Sequence, residues 1–364
     1  MPPSLPLFKV RMPPESVLLP ALARVLYSGQ IGEGEAVAQF ESAFGQWLGH
    51  GTPVACSSGT AALHLALLLA GIGPGDEVLS TAMTAEPTNM AIRHAGGLIR
   101  WADVDPQCGN VTAATLAAAL TPATKALLVV DYAGLPVDMA AIRSLADAHG
   151  LRVIEDAAHA LGARFGGKGI GADADFTIFS FQAIKHITTG DGGMLVLRDP
   201  GHLSRARRLR WFGLTRGVAR TEVAATEVGY KYNMNNIAAT MGLAQMEGVD
   251  QAVAAHRANG QAFDAAFSGR AGLAPARLEA GAEPSYWLYT LLCDDPAAIV
   301  ARLEAAGVAS GVVHRRNDLH PVFAAARRPL PGLDRFSARH IHLPCGWWVG
   351  EAERARIIEA VTGS

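Results

Sequence analysis

Lysine is scarce in this chain: only Lys9, Lys125, Lys168, Lys185 and Lys231 occur in 364 residues. Cysteine is scarcer. Cys56, Cys108, Cys293 and Cys345 lie far apart, with no CxxC and no Cys/His pair at zinc spacing, so neither a disulfide framework nor a zinc site is indicated. Buried thiols in a reducing compartment are the expectation, with no metal. Long apolar runs are missing too. Ala61 to Ala70 and Ala126 to Val130 are too short to span a bilayer, and the N-terminal MPPSLPLFKVRMPP has no apolar stretch of signal-peptide length. A cytoplasmic protein with no membrane partner is therefore expected. The formal net charge is only -2, which argues against a nucleic-acid partner. The first strand is followed by neither a Walker loop nor a Gly-x-Gly-x-x-Gly fingerprint, which weakens a nicotinamide dehydrogenase reading.

What is present is apolar. Hydrophobic residues make up 50% and charged residues 18% of the chain. A sizeable core is affordable, and the low surface charge suggests a face buried against a partner subunit. The length favours a large domain plus a smaller one, drawn here as residues 1–250, including an extended Pro-rich arm, and 251–364. Helical spacing covers Glu15 to Ser28 and Gly34 to Leu48. Short apolar runs then alternate with Ala-rich stretches. Strands are expected over 53–56, 77–80, 98–104, 125–131, 151–156, 175–181 and 194–197. The first six are separated by helices over 60–70, 86–94, 113–119 and 139–148, and by a short piece after Ala157. That rhythm predicts an α/β fold with a mostly parallel seven-stranded sheet, its last strand antiparallel after the tight Gly190–Gly193 turn. Beyond it, one long helix is expected over 236–268, then strands over 286–293 and 308–314 in a smaller α/β domain.

Chemistry collects at the strand ends. Ser57-Ser58-Gly59-Thr60 closes the first strand and opens a helix, where free N–H groups can bind an anion, although a plain Ser cap explains it equally well. Asp156 ends an apolar strand and needs a cationic partner such as a protonated pyridine nitrogen, unless it only caps the following segment. His159 follows three residues later. Ser180 ends a neighbouring strand and could give a second phosphate ligand. Lys185 stands just past that strand among apolar residues. If desolvated, its amine would lose its proton and could attack a carbonyl to form a Schiff base; otherwise it is a solvated loop lysine. Together these features match what pyridoxal phosphate requires: an anchored phosphate, a charge-paired pyridinium and an aldehyde bonded to lysine.

The sequence resembles the DegT-type nucleotide-sugar aminotransferases of the aspartate-aminotransferase fold, fold type I. The resemblance rests on Ser58-Gly59-Thr60-Ala61-Ala62-Leu63, Gly75-Asp76-Glu77-Val78, Asp103-Val104-Asp105-Pro106, Glu155-Asp156-Ala157-Ala158-His159-Ala160, Phe179-Ser180-Phe181 with Lys185 and Thr188-Thr189-Gly190-Asp191-Gly192-Gly193, and Gly229-Tyr230-Lys231-Tyr232-Asn233-Met234. It runs from about Gly32 to Gly242 and more loosely beyond. It implies that Lys185 carries pyridoxal 5'-phosphate and moves the proton, that Asp156 pairs the ring nitrogen, and that His159 sits by the cofactor O3′. Gly59, Thr60 and Ser180 would hold the phosphate. Asn233 would reach the neighbouring subunit's phosphate, making a homodimer with shared active sites. The implied reaction is ping-pong transfer of an amino group from L-glutamate to a nucleotide-linked keto sugar, of 4-keto-6-deoxy type. A keto-cyclitol aminotransferase and a non-catalytic regulatory protein of the same fold are the alternatives. A related dehydrating branch has histidine at the lysine position; Lys185 favours transamination. One departure stands out. Ala85 falls where such proteins often place a ring-stacking aromatic, with Glu86 beside it. Glu86, His314, Arg315, His320 and Trp347 are the candidate substrate contacts, although paired tryptophans and arginines are often packing or solvated residues.

Overall fold

The structure, a computed structural model, describes residues 4–363. The first three residues of the expected arm lie outside the described residues. The chain runs α1 (Glu15–Leu26), α2 (Glu35–Leu48), β1 (Thr52–Cys56), α3 (Gly59–Leu69), β2 (Glu77–Thr81), α4 (Glu86–His94), β3 (Leu98–Ala102), α5 (Ala113–Ala117), β4 (Thr124–Val130), α6 (Met139–His149) and β5 (Arg152–Asp156). It continues through β6 (Arg164–Phe165), β7 (Lys168–Gly169), β8 (Phe176–Ser180), β9 (Gly193–Leu197), α7 (Leu203–Leu209), α8 (Asn236–Met246) and α9 (Val249–Phe267). Then follow β10 (Leu273–Pro275), β11 (Ala282–Glu283), β12 (Tyr289–Cys293), α10 (Pro296–Ala305), α11 (Pro331–Ser337), β13 (His340–Leu343) and α12 (Glu351–Thr362).

The main sheet has seven strands in the order β1-β9-β8-β5-β4-β2-β3. Its strands from β8 to β3 pair in parallel, while β9 runs antiparallel to both β1 and β8. Both faces are covered. Ala126, Leu128 and Val130 of β4 pack with α3 on one side, and Leu127 and Val129 pack with Ile142 and Ala146 of α6 on the other. That period of two explains why the strand reads as an unbroken apolar run. Helix α3 is buried over nearly its whole length, so it too is apolar all round. A separate three-stranded antiparallel sheet, β10-β12-β13, shares a core with Phe263 and Phe267 of α9, Leu303 of α10 and Ile357 of α12. No helix among the described residues is long and apolar enough to cross a membrane.

Several expectations change. The single helix over 236–268 is two helices, α8 and α9, broken at Glu247 and Gly248. The piece after Ala157 is a series of turns rather than a helix. The strand expected over 286–293 begins at Tyr289, because Tyr286 has a positive φ of 46° that takes it out of extended geometry. Residues 308–314 make isolated bridges, Leu5 with Val308 and Gly311 with His342, instead of a strand. Gly311 at φ 135° interrupts the ladder there. The third strand of the smaller sheet comes instead from β13.

Candidate functional site

The carboxyl ends of β1, β5 and β8 converge on a cavity of about 360 Å³. Gly193, at the start of β9, pairs with Cys56 on one side and Ser180 on the other, so it sets the last residues of β1 and β8 on either side of itself. Only glycine fits, because a Cβ there would stand 2.5 Å from the Ser58 carbonyl oxygen. Ser58 caps α3, its hydroxyl accepting the Ala61 N–H at 3.0 Å. The first-turn amides of a helix have no intrahelical acceptor and sit at its positive end, so Gly59 and Thr60 present an anion-binding turn to the cavity. A Cβ on Gly59 would lie 3.3 Å from Ser180 Oγ, which shows how closely turn and hydroxyl approach.

Lys185 sits on an excursion closed at its base by hydrogen bonds from Thr189 N to Phe181 O and from Phe181 N to Gly192 O, both 2.9 Å. The Thr- and Gly-rich turn is thus a clamp that fixes where the lysine emerges. Part of the side chain faces the cavity, but the amine lies deep in the molecule. Burial lowers its pKa to about 7, with the Asp156 charge pulling the other way. That shift brings the neutral, nucleophilic form of the amine within reach near neutral pH.

Asp156 is 3% exposed. Its Oδ2 accepts from Thr88 Oγ1 at 2.7 Å and its Oδ1 from Ala158 N at 3.1 Å. No salt bridge to it occurs among the described residues. Burial raises its pKa, against those hydrogen bonds and the Lys185 charge. A buried carboxylate with two donors and no contacting cation is suited to meet a cationic ring N–H.

His159 is buried, and its Nδ1 accepts the Ala133 N–H at 3.3 Å. Burial foremost, then the Lys185 charge, holds its pKa well below the usual histidine range. The neutral ring therefore carries its proton on Nε2. His314 also lines the cavity; its ring is parallel to that of His159, with centroids 5.6 Å apart, and burial lowers its pKa to about 4. Asn317 fixes that segment, donating to Thr84 O at 2.8 Å and accepting from Asn89 Nδ2 at 2.8 Å.

Of the residues singled out in the sequence, Gly59, Thr60, Glu86, Asp156, His159, Ser180, Lys185 and His314 line one cavity. Ala85 lines it too, with no aromatic side chain in its place. The others do not. His320 stands 3.2 Å from Glu86 at the cavity rim, Arg315 is exposed, and Trp347 is exposed with Lys9 Nζ 5.1 Å from its ring. Asn233 bonds to Lys231 Nζ at 2.9 Å and does not line this chain's cavity. The sequence reading missed Thr88, Asn317 and Trp287. Thr88 carries a weak signal, a hydroxyl in the first turn of α4. Asn317 and Trp287 come from segments distant in sequence, so nothing local marks them.

The donor set fits a phosphorylated heteroaromatic aldehyde. Gly59, Thr60 and Ser180 would offer such a group a cradle for its phosphate, Asp156 an anion for its ring nitrogen, His159 a donor, and Lys185 an amine for its aldehyde.

The model of the DegT/DnrJ/EryC1/StrS aminotransferase family matches residues 15–362. GDP-perosamine synthase of Caulobacter vibrioides is 34% identical over 336 residues, covering 90% of each chain. The sugar aminotransferase CalS13 from Micromonospora echinospora superposes with a TM-score of 0.95 at 39% identity, covering 99% of this chain and 100% of that one. DesV of S. venezuelae, solved in complex with a ketimine intermediate, superposes with a TM-score of 0.90 at 30% identity, covering 96% of this chain and 94% of that one.

Proposed function

The chain belongs to the DegT/DnrJ/EryC1/StrS aminotransferase family, and from that premise we propose that it moves an amino group from L-glutamate to the ketone of a nucleotide-linked sugar, of 4-keto-6-deoxy type, using pyridoxal 5'-phosphate. The observation that carries the reading is the convergence of Lys185, Asp156 and the Gly59–Ser180 cradle on one cavity. When bound, the cofactor supplies a carbonyl that condenses with amines and an electron sink that stabilises loss of a Cα proton.

This chain's residues do the rest. The α3 amino end and Ser180 hold the phosphate. Asp156, held by Thr88 and Ala158, keeps the ring nitrogen protonated. His159 Nε2–H donates to O3′. Lys185 Nζ, its pKa lowered to about 7 by burial, would be the base that accepts and returns the proton of the amino donor. Glu86 and His314, in the cavity wall where no ring-stacking aromatic stands, are the proposed sugar contacts. Arg315, His320 and Trp347 are reserved for the outer parts of the substrate.

A second copy of the chain completes the site in this reading. Helix α1 is apolar yet has no buried residue, and Leu19 (56%), Ile31 (51%), Tyr27 (90%) and Val228 (79%) are exposed. A homodimer would cover exposed apolar residues of this kind and allow Asn233 to reach the partner's phosphate. A cytoplasmic location goes with the reading, since nucleotide-linked sugars are made and used there. Incubation with glutamate should release one 2-oxoglutarate per site, and mass spectrometry over a panel of nucleotide-linked keto sugars and keto-cyclitols should show an aminated nucleotide sugar. Amination confined to the cyclitols would overturn the substrate assignment.

A further inference from the structure

Trp287 is absent from the set of residues that the resemblance marks, yet it touches Lys185, the Ile184 backbone and His159 at once. It precedes β12 and is 2% exposed. The Lys185 Nζ lies 3.7 Å from the centroid of its ring. Its indole N–H donates to the Ile184 carbonyl at 2.8 Å, one residue before the lysine. His159 stacks on it with centroids 3.9 Å apart and planes 16° from parallel, and Phe8 stacks at 5.2 Å. One side chain thus fixes the backbone beside the lysine, holds the ring of His159 and faces the reactive nitrogen.

An aromatic face attracts a cation and offers nothing comparable to a neutral amine, and tryptophan does so most strongly. Lys185 must alternate between covalent engagement and a free amine that accepts a proton. We propose that Trp287 is a positioning residue that seats the free Lys185 amine, in its protonated form, against its indole face. The inference rests on Lys185 being the reacting lysine. Other titratable groups surround the same amine: Asp156 from the end of β5, His159 after it, His186 next in sequence, and His314, while Glu86 and Asp191 line the cavity. Asp156 also favours the cation; His159, His186 and His314 are held neutral by burial. The indole adds a direct contact to the longer-range attraction of Asp156, and it keeps the proton from being lost too readily from a desolvated site.

The test reads the lysine and not turnover. The full chain is saturated with pyridoxamine 5'-phosphate, which leaves the Lys185 amine free, and is pulsed with acetic anhydride across a pH series. Acetylation of the Lys185 peptide is read by mass spectrometry. In Trp287→Leu, which keeps the wall apolar, the midpoint should fall by about 1.5 pH units, the size expected for loss of a desolvated cation–π contact. In Trp287→Phe, which keeps a weaker face in nearly the same volume, it should fall by less. Trp287→Phe carries the test alone if the leucine variant does not fold. A midpoint unchanged or raised in the folded variants overturns the proposal. Because Lys185→Ala separately reports whether Lys185 is needed for turnover, failure of this inference is distinguishable from failure of the aminotransferase reading.

Discussion

Thr88 Oγ1 donates to Asp156 Oδ2 at 2.7 Å, and Thr84 Oγ1 stands 2.9 Å behind it. Since the Thr88 proton goes to the carboxylate, Thr84 must supply its own proton to Thr88. The result is a directed chain, Thr84 to Thr88 to Asp156, with each member buried. A hydrogen bond to a buried charge is worth about 1.5–3 kcal/mol, or roughly tenfold to a hundredfold. Thr88→Val should therefore lower kcat by about that factor, with little change in the KM for the sugar, while Thr88→Ser should keep most of the activity. Steady-state kinetics with both variants checks this.

Asp156→Asn should retain the fold, because its amide oxygen can still accept from Ala158 N while its NH2 donates to the Thr88 hydroxyl, which can turn its own proton toward Thr84. It removes the charge that, in the proposed reaction, would face the ring nitrogen. Activity should fall on the order of a hundredfold or more, as for loss of other preorganised electrostatic partners. Circular dichroism and turnover on the same sample separate the two effects.

The parallel sheet and the strand-end residues were legible because both follow from local pattern. Continuous apolar runs marked strands covered on both faces, and Gly59, Asp156, Ser180 and Lys185 each stand at or just beyond a strand's carboxyl end. Seven such runs became the seven strands of the main sheet. The smaller sheet was harder. Tyr286 and Gly311 take positive φ values that no apolar pattern announces, and β13 is a four-residue strand, His340–Leu343, with histidine at alternate positions. Trp287 and Asn317 contact the site only through tertiary structure, about 100 residues or more from Lys185.

Asp131 and Glu155 are wholly buried side by side, and Asp131 Oδ2 and Glu155 Oε1 have no other hydrogen-bond partner. Burial raises both, Glu155 from 4.5 to about 7. Between those two values the folded chain keeps a proton that the unfolded chain has released, so this pair's contribution to stability is lost as pH rises through that window. Glu155→Gln does not titrate at that position. The Tm of wild type relative to Glu155→Gln should therefore fall from about pH 5 to about pH 7 and level off above it, read by thermal unfolding across that range. A constant difference would show that the pair holds no shared proton.

Lys185→Ala and Asn233→Ala should each be inactive alone. If Asn233 serves the partner's site, mixed and reassembled subunits should recover about a quarter of wild-type activity, because half of the dimers carry one intact site of two. Confirmed heterodimers without activity would place Asn233 elsewhere.

The central claim is that Lys185, out of five lysines, is the one that bonds the cofactor. Borohydride reduction of the protein loaded with pyridoxal 5'-phosphate, followed by peptide mass spectrometry, tests it most directly. A phosphopyridoxyl group on Lys185, absent from Lys185→Ala, is the result predicted. Stoichiometric label on Lys9, Lys125, Lys168 or Lys231, or no label on any lysine of the loaded protein, would contradict it.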